Sequence, residues 1–184
     1  MTVTLIPPEE LPSIQGLDDP RRFYQVLQDP APFAGMSFPD IHQLRYLASL
    51  GFRSIVCLTS DTPPYDPAPL EMLRSVRFKD LIGGSQPKDP KREADLLKDV
   101  VRAVVHELDA KRGVAVHCQG GTGRTGTVIA CCLRELGVAT DEVLAYMHNL
   151  NKVREKYPGW KGWPESGWQR CQVTDWASLS ALSP

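Results

Sequence analysis

The sequence predicts an α/β fold: a single layered domain in which helices flank a central, mostly parallel sheet. Two short apolar runs, RSIVCL at 53–58 and VAVH at 114–117, have the length and branched side chains of buried strands. Longer segments with apolar residues at helical spacing alternate with them. This alternation is typical of layered α/β domains. A glycine-rich loop follows the second run, at the edge where such sheets bind their ligands.

The composition fits one globular domain and disfavours several classes of protein. The 184 residues are 42% hydrophobic and 23% charged, with a net charge of -1, so we expect no nucleic-acid binding through a broad basic surface. No apolar run reaches the ~20 residues needed to span a membrane. The N-terminal residues lack the basic and apolar regions of a secretory signal.

Cysteine and histidine usage favours reduced thiols and a cytoplasmic location. The five cysteines show no regular spacing and no Cys-x-x-Cys pair, and the four histidines are scattered. Neither a disulfide framework nor a structural zinc site is therefore indicated. We expect no metal and no cofactor.

Proline content suggests where the domain begins. Residues 1–35 are rich in proline and are interpreted as an N-terminal arm that packs on the domain. The domain itself is assigned to residues 36–178, and residues 179–184 to a tail.

The first half of the chain predicts helices and strands in alternation. A helix is expected over 37–51, followed by strands over 53–58 and 74–80. Asp89 precedes Pro90 and a long amphipathic segment, which is the pattern of an N-cap with proline at the first helical position.

The second half predicts the strand and helix that enclose the glycine-rich loop. The strand is expected over 114–117, with helices over 127–136 and 141–156. All four tryptophans lie after these helices and are interpreted as packing residues.

The loop after the strand is suited to binding phosphate. Gly120, Gly121 and Gly123 let the backbone curl so that N–H groups point inward as an anion nest. The helix that follows adds the positive end of its dipole. Cys118 begins the loop, where this setting favours its thiolate. Arg124 ends it, and a planar guanidinium can bind two phosphoryl oxygens at once. A bound phosphate would thus lie beside a nucleophilic sulfur.

Two other interpretations of the loop stay open. In the first, Cys118 is only a buried core thiol, although packing does not require a glycine-rich loop ended by arginine. In the second, Gly121-x-Gly123-x-x-Gly126 is a dinucleotide-binding fingerprint, with Asp141 at the spacing of its acidic residue. No strand is predicted before Asp141, and too little chain follows for a nucleotide-binding half.

The segment His117-Cys118-(five residues)-Arg124-Thr125 resembles the signature of the protein-tyrosine and dual-specificity phosphatase superfamily. The resemblance extends over residues 30–178 and includes PFAGMSFPDIHQLRYLASLGFRSIVCLT, which resembles the opening helix and strand of small dual-specificity phosphatases. CQGGTGRT is most similar to the loops of kinase-associated and mitotic-exit phosphatases. The fold implied is that of a phosphatase with its phosphate-binding loop between strand and helix.

The resemblance also implies a general acid. Asp80 stands at the family's acid position after an aromatic residue, and we expect it to protonate the leaving oxygen. Asp89 is the alternative acid, although its N-cap pattern already explains it.

Further roles follow from the resemblance by position. Thr125 is expected to help release the thiolate from the intermediate, and Gln169 to position the hydrolytic water. The phosphate contacts are assigned to Gln119, Gly120, Gly121, Thr122, Gly123 and Arg124.

The function predicted is that of a phosphoprotein phosphatase acting on phosphotyrosine, and on phosphoserine or phosphothreonine if the pocket is shallow. The intermediate is a cysteinyl phosphate on Cys118, and the partner is a phosphorylated protein. The variable loop positions carry no lysine, whereas lipid phosphatases of this superfamily commonly do. Four alternatives stay open: a phosphatase of a phosphoinositide or inositol phosphate, one of an RNA 5′-triphosphate, a non-catalytic phosphate-binding module, and a rhodanese-type sulfur transferase.

Overall fold

The computed structural model describes residues 3–12, 14 and 16–176. The predicted tail at 179–184 lies outside these residues. The elements, in chain order, are β1 (Phe23–Leu27), β2 (Phe33–Met36), α1 (Ile41–Ser49), β3 (Phe52–Cys57), β4 (Glu71–Ser75), α2 (Pro90–Asp109), β5 (Gly113–His117), α3 (Gly123–Glu135), α4 (Thr140–Val153) and α5 (Gly167–Thr174). Among the described residues, none of the helices combines the length and the hydropathy of a transmembrane span.

A five-stranded sheet in the order β1-β2-β5-β3-β4 forms the centre of the domain. Only β1 runs antiparallel to its neighbour, and the other pairs are parallel. One face packs against α2, α3, α4 and α5 through residues such as Val56 and Val116, and the other packs against α1 through Ile55 and Ala115. The predicted α/β class with a mostly parallel sheet is confirmed.

The interpretation of residues 1–35 as an arm is wrong for their second half. β1 and β2 are buried along their whole length, and β2 pairs in parallel with β5, the strand that leads into the glycine-rich loop. The two strands are short and a proline-containing turn joins them. Because proline is rare within strands, the proline content led to the prediction of an arm instead. The sheet therefore begins at Phe23, and the boundary at residue 36 divides it.

The strand expected over 74–80 lies earlier, at Glu71–Ser75. Its parallel partner β3 ends at Cys57, which pairs with Ser75. The parallel pairing of the two strands therefore ends at Ser75. Asp80 therefore lies in a loop beyond the strand. Past the strand ends, the two segments are joined by an isolated bridge between Thr59 and Arg77 and by a hydrogen bond from Phe78 N to Leu58 O at 3.3 Å.

Caps set the true starts of two helices. α1 begins at Ile41 rather than at residue 37, because the Asp40 side chain accepts from the N–H groups of His42 and Gln43 at 2.9 Å each. The predicted N-cap of α2 is confirmed, since Asp89 Oδ1 accepts from Arg92 N at 3.0 Å. By contrast, α3 begins at Gly123, four residues before the predicted start at 127.

Candidate active site

The glycine-rich loop connects the end of β5 to the first turn of α3. Cys118 directly follows the strand and is only 2% exposed. Arg124 and Thr125 lie in the first turn of α3. Both ends of the loop are therefore held by regular structure, which fixes sulfur and guanidinium relative to each other.

Three side chains from outside the loop bind its carbonyl oxygens. Gly121 O accepts from the Tyr24 hydroxyl at 3.2 Å and from Arg154 Nη2 at 2.9 Å. Gly120 O accepts from Lys156 Nζ at 2.5 Å. Because these carbonyls are occupied, the N–H groups can face the other way, and Gly121 N donates to Cys118 Sγ at 3.2 Å. At least this one N–H group faces the sulfur, as in an anion nest.

Gly121 is a position where only glycine fits. Its φ is +68°, and a Cβ there would lie 2.7–2.8 Å from the backbone atoms of Met36 and Ser37. The loop therefore lies directly on the end of β2, the strand that sequence analysis missed.

Arg154 is a buried cation that ties the loop to the N-terminal part of the chain. It is 1% exposed, stacks 3.9 Å from the Tyr24 ring centroid, and also donates to Pro20 O and Arg21 O at 2.9 and 3.2 Å. Burial lowers the pKa of Arg154 and raises that of Tyr24 to about 12. Sequence reasoning gave no role to either residue, since no local pattern connects positions so far apart.

His117 is held neutral behind the nucleophile. Burial lowers its pKa from 6.5 to about 4. Its Nδ1 lies 3.3 Å from Cys118 O and its Nε2 lies 2.5 Å from the Tyr65 hydroxyl. A carbonyl can only accept, so Nδ1 carries the proton and Nε2 accepts from Tyr65. The ring thus fixes the backbone at the start of the loop.

Asp80 lies beside Arg124. Its Oδ2 accepts from Arg124 Nη2 at 2.7 Å, and its side chain is 43% exposed. The turn that follows contains Gly83 and Gly84, both at positive φ, and Gly84 N donates to Glu165 O at 3.0 Å. A carboxylate is therefore present at the loop, as expected for Asp80, whereas Asp89 caps α2.

Glu165 is a second carboxylate at the loop, and sequence analysis missed it. A Cβ on Gly123 would lie 1.7 Å from Glu165 Oε2, so the carboxylate approaches the backbone where glycine leaves room. Burial, and then the charge of Asp80, raise the pKa of Glu165, partly offset by Arg124 and Lys156. The one signal that could have indicated Glu165 is its position four residues before Gln169.

Gln169 and Thr125 are both buried at the loop. Gln169 is 1% exposed; its Oε1 accepts from Glu165 N at 2.7 Å, and a Cβ on Gly123 would lie 2.9 Å from its Nε2. Thr125 is fully buried, and its Oγ1 has no hydrogen-bond partner among the described residues. An unpaired buried hydroxyl costs free energy, so the Thr125 hydroxyl has a hydrogen bond left to donate at the loop.

These residues enclose a cavity of about 290 Å³ above the sulfur. Besides Cys118 and the loop, its walls include the carboxylates of Asp80 and Glu165, the Lys156 ammonium, and the rings of Tyr157 and Trp160. Within the described part of the chain, no group of three His, Cys, Asp or Glu side chains is arranged to hold a metal ion. The arrangement suits a nucleophile, an anion-binding loop and a proton donor acting on one phosphoryl group.

Known proteins resemble this chain in sequence and in fold. The family model described as "Swiss Army Knife protein, DSP-PTPase phosphatase domain" matches residues 21–158. Inositol diphosphatase DSP1 of Oryza sativa subsp. japonica is 36% identical over 102 residues, 54% of this chain and 44% of that protein. Tyrosine-protein phosphatase cdc-14 of Caenorhabditis elegans is 37% identical over 67 residues, 36% of this chain and 8% of that protein. The aligned part thus spans less than half of either relative.

A solved structure agrees with the fold. TpbA of P. aeruginosa has a TM-score of 0.55 and 16% identity, with 85% of this chain and 88% of that chain covered. The superfamily expected from the loop signature is confirmed by the family match, which covers most of the chain. The chain belongs to the family described as Swiss Army Knife protein, DSP-PTPase phosphatase domain.

Proposed function

We propose that this phosphatase hydrolyses phosphotyrosine in proteins through a cysteinyl-phosphate intermediate on Cys118. The observation that carries the proposal is the hydrogen bond from Gly121 N to Cys118 Sγ, inside a loop whose carbonyls are bound from outside. The same inward N–H group is placed to stabilise a thiolate before reaction and a phosphoryl oxygen during it.

In the first step, the Cys118 thiolate attacks phosphorus, an S–P bond forms and the bond to the leaving oxygen breaks. The loop N–H groups and Arg124 bind the phosphoryl oxygens. Binding of phosphate by Arg124 competes with its ion pair to Asp80. Once released from that pair, Asp80 takes up a proton from solvent and donates it to the leaving oxygen.

In the second step, water attacks phosphorus, the S–P bond breaks and the thiolate returns. Asp80, now a carboxylate, accepts a proton from the water, and the Gln169 amide positions that water beside Gly123. The unpaired Thr125 hydroxyl donates to the departing sulfur.

The walls of the cavity favour an aromatic substrate. Tyr157 and Trp160 can pack against a phenyl ring, while Asp80 and Glu165 disfavour extra negative charge close to the sulfur. Lys156 already hydrogen-bonds to Gly120 O and is therefore less available to a second phosphate. Because the mechanism needs a reduced thiol, we place the protein in the cytoplasm.

An inositol phosphate is the second candidate substrate, because the rice relative named as an inositol diphosphatase is 36% identical over 102 residues. Phosphate release from phosphotyrosine, phosphoserine and phosphothreonine peptides, inositol phosphates and an RNA 5′-triphosphate separates the candidates. We expect the largest kcat/KM with phosphotyrosine peptide, and none above background for Cys118→Ser. A larger kcat/KM with an inositol phosphate would contradict the proposed substrate but not the chemistry.

A further inference from the structure

We propose that a basic cavity beside the catalytic one binds a second phosphate group of the substrate; this proposal rests on the phosphatase function proposed for Cys118. The basic cavity has a volume of about 470 Å³, and four cationic side chains line it: Arg77, Lys79, Lys88 and Arg92. No role in the chemistry above uses any of them.

These cations come from three parts of the chain. Arg77 and Lys79 follow β4, Lys88 lies in the loop after the Gly83–Gly84 turn, and Arg92 lies in the first turn of α2. Their convergence around one cavity is a tertiary arrangement rather than a local run of charge. The N-terminal end of α2 also borders the cavity, through Asp89, Arg92 and Glu93.

The cationic groups of the basic cavity are available to a ligand. None of the four forms an ion pair with a carboxylate in the ranges that the structure describes. Other surface arginines in those ranges are paired, for example Arg21 with Asp19 at 2.8 Å, Arg74 with Asp99 at 2.7 Å and Arg112 with Glu107 at 2.7 Å.

Three carboxylates also line the basic cavity, and each has another partner. Asp80 pairs with Arg124, Asp89 caps α2, and Glu93 Oε1 accepts from Lys79 N at 3.1 Å. Burial raises the pKa of Glu93, and the charges of Arg92 and Lys79 partly offset that rise. With Arg124 included, five cations face three carboxylates, so the cavity retains a net positive charge.

The basic cavity and the catalytic cavity are neighbours. Asp80 and Arg124 line both. A substrate whose first phosphate lies on the Cys118 loop can therefore reach past Asp80 and place a second phosphate among Arg77, Lys88 and Arg92. Arginine binds phosphate through two parallel hydrogen bonds, which makes this site selective for phosphate.

The test compares substrates that differ by one phosphate. The first pair is a phosphotyrosine peptide with and without a phosphoserine, at several spacings; the second is an inositol monophosphate and bisphosphate. The variant is Arg77→Ala/Arg92→Ala, and Lys91→Ala is the matched control, since Lys91 is exposed in the same turn of α2 but does not line the cavity. The readout is the ratio of kcat/KM for the doubly to the singly phosphorylated substrate.

We expect wild type and Lys91→Ala to prefer the second phosphate, and the double variant to lose about tenfold or more of that ratio, as removal of charged hydrogen bonds implies. Whichever substrate pair shows the preference tells whether the second phosphate belongs to a peptide or to an inositol ring. Ratios near one in wild type for both pairs, or an unchanged ratio in the double variant, would overturn the second site.

If wild type hydrolyses none of these substrates, the proposed function fails and binding decides the second site separately. The probe is inorganic triphosphate, compared with inorganic phosphate, titrated into the Cys118→Ser protein by calorimetry. Preference for triphosphate that Arg77→Ala/Arg92→Ala removes would support the site. If the affinity for triphosphate were the same with and without Arg77→Ala/Arg92→Ala, the second phosphate site would be excluded.

Discussion

At the scale of single residues, the carbonyl groups of the phosphate loop matter as much as its N–H groups. Tyr24, Arg154 and Lys156 bind the outward carbonyls of Gly120 and Gly121. A flexible glycine-rich segment would otherwise pay a conformational cost to point its N–H groups at phosphate. The signature Cys-(five residues)-Arg is therefore only part of the site, because residues distant in sequence hold it in the reactive conformation.

The two carboxylates at the loop can be distinguished by leaving group. A general acid matters most for a poor leaving group, so we expect Asp80→Asn to lower kcat with phosphotyrosine peptide by about 10²- to 10⁴-fold. The loss with p-nitrophenyl phosphate, whose phenolate leaves unaided, should be much smaller. Steady-state rates with both substrates measure this difference.

Glu165→Gln is the matched variant for that experiment, since it removes the other carboxylate of the cavity. We expect Glu165→Gln to change kcat by a similar factor with phosphotyrosine peptide and with p-nitrophenyl phosphate. If Glu165→Gln showed the leaving-group dependence and Asp80→Asn did not, Glu165 would be the acid.

At the scale of elements, caps and strand pairing place the site residues. The pairing of β3 with β4 ends at Cys57 and Ser75. The chain then leaves the sheet, and Asp80 lies beside Arg124. The early start of α3 puts Arg124 and Thr125 in its first turn, where the dipole of the helix favours bound phosphate.

The cap of α2 gives a prediction for stability. Asp89→Ala removes the acceptor of Arg92 N, so the free energy of unfolding should fall by about 0.5–2 kcal/mol, while kcat with phosphotyrosine peptide stays near that of wild type. Asp40→Ala, which removes the cap of α1, is the control and should cost a similar amount. Denaturant unfolding measures both. A leaving-group dependence of the Asp89→Asn rate would instead make Asp89 the acid.

Local signals in the sequence predicted the loop, β3, β5 and the cap of α2, because glycine spacing, short apolar runs and Asp89-Pro90 act over a few residues. The positions of β1 and β2 could not be found in this way, since short strands between prolines become strands only by pairing with β5. Arg154 was missed for the same reason: three carbonyls from two distant segments define its role.

At the scale of the whole molecule, the phosphate loop follows a buried, neutral histidine at the end of β5. His117 is fully buried with a pKa near 4, compared with 6.5 in the ordinary state. Between these values the unfolded chain binds a proton that the folded one does not, so stability rises with pH across this window.

We therefore expect the free energy of unfolding to fall by about 3 kcal/mol through this group as pH decreases from 6.5 to about 4. Denaturant unfolding across that range measures the slope, and the difference from His117→Asn isolates this residue from the carboxylates. Parallel curves for the two proteins would mean that His117 is not held neutral by burial.

Covalent catalysis by Cys118 can be tested by trapping the cysteinyl-phosphate intermediate. The enzyme is mixed with phosphotyrosine peptide, quenched in acid within the first turnover, digested and analysed by mass spectrometry. We expect a phosphoryl group on the peptide that contains Cys118, and neither this adduct nor turnover in Cys118→Ser. Turnover that persists in Cys118→Ser, or a phosphoryl group on another residue, would contradict it.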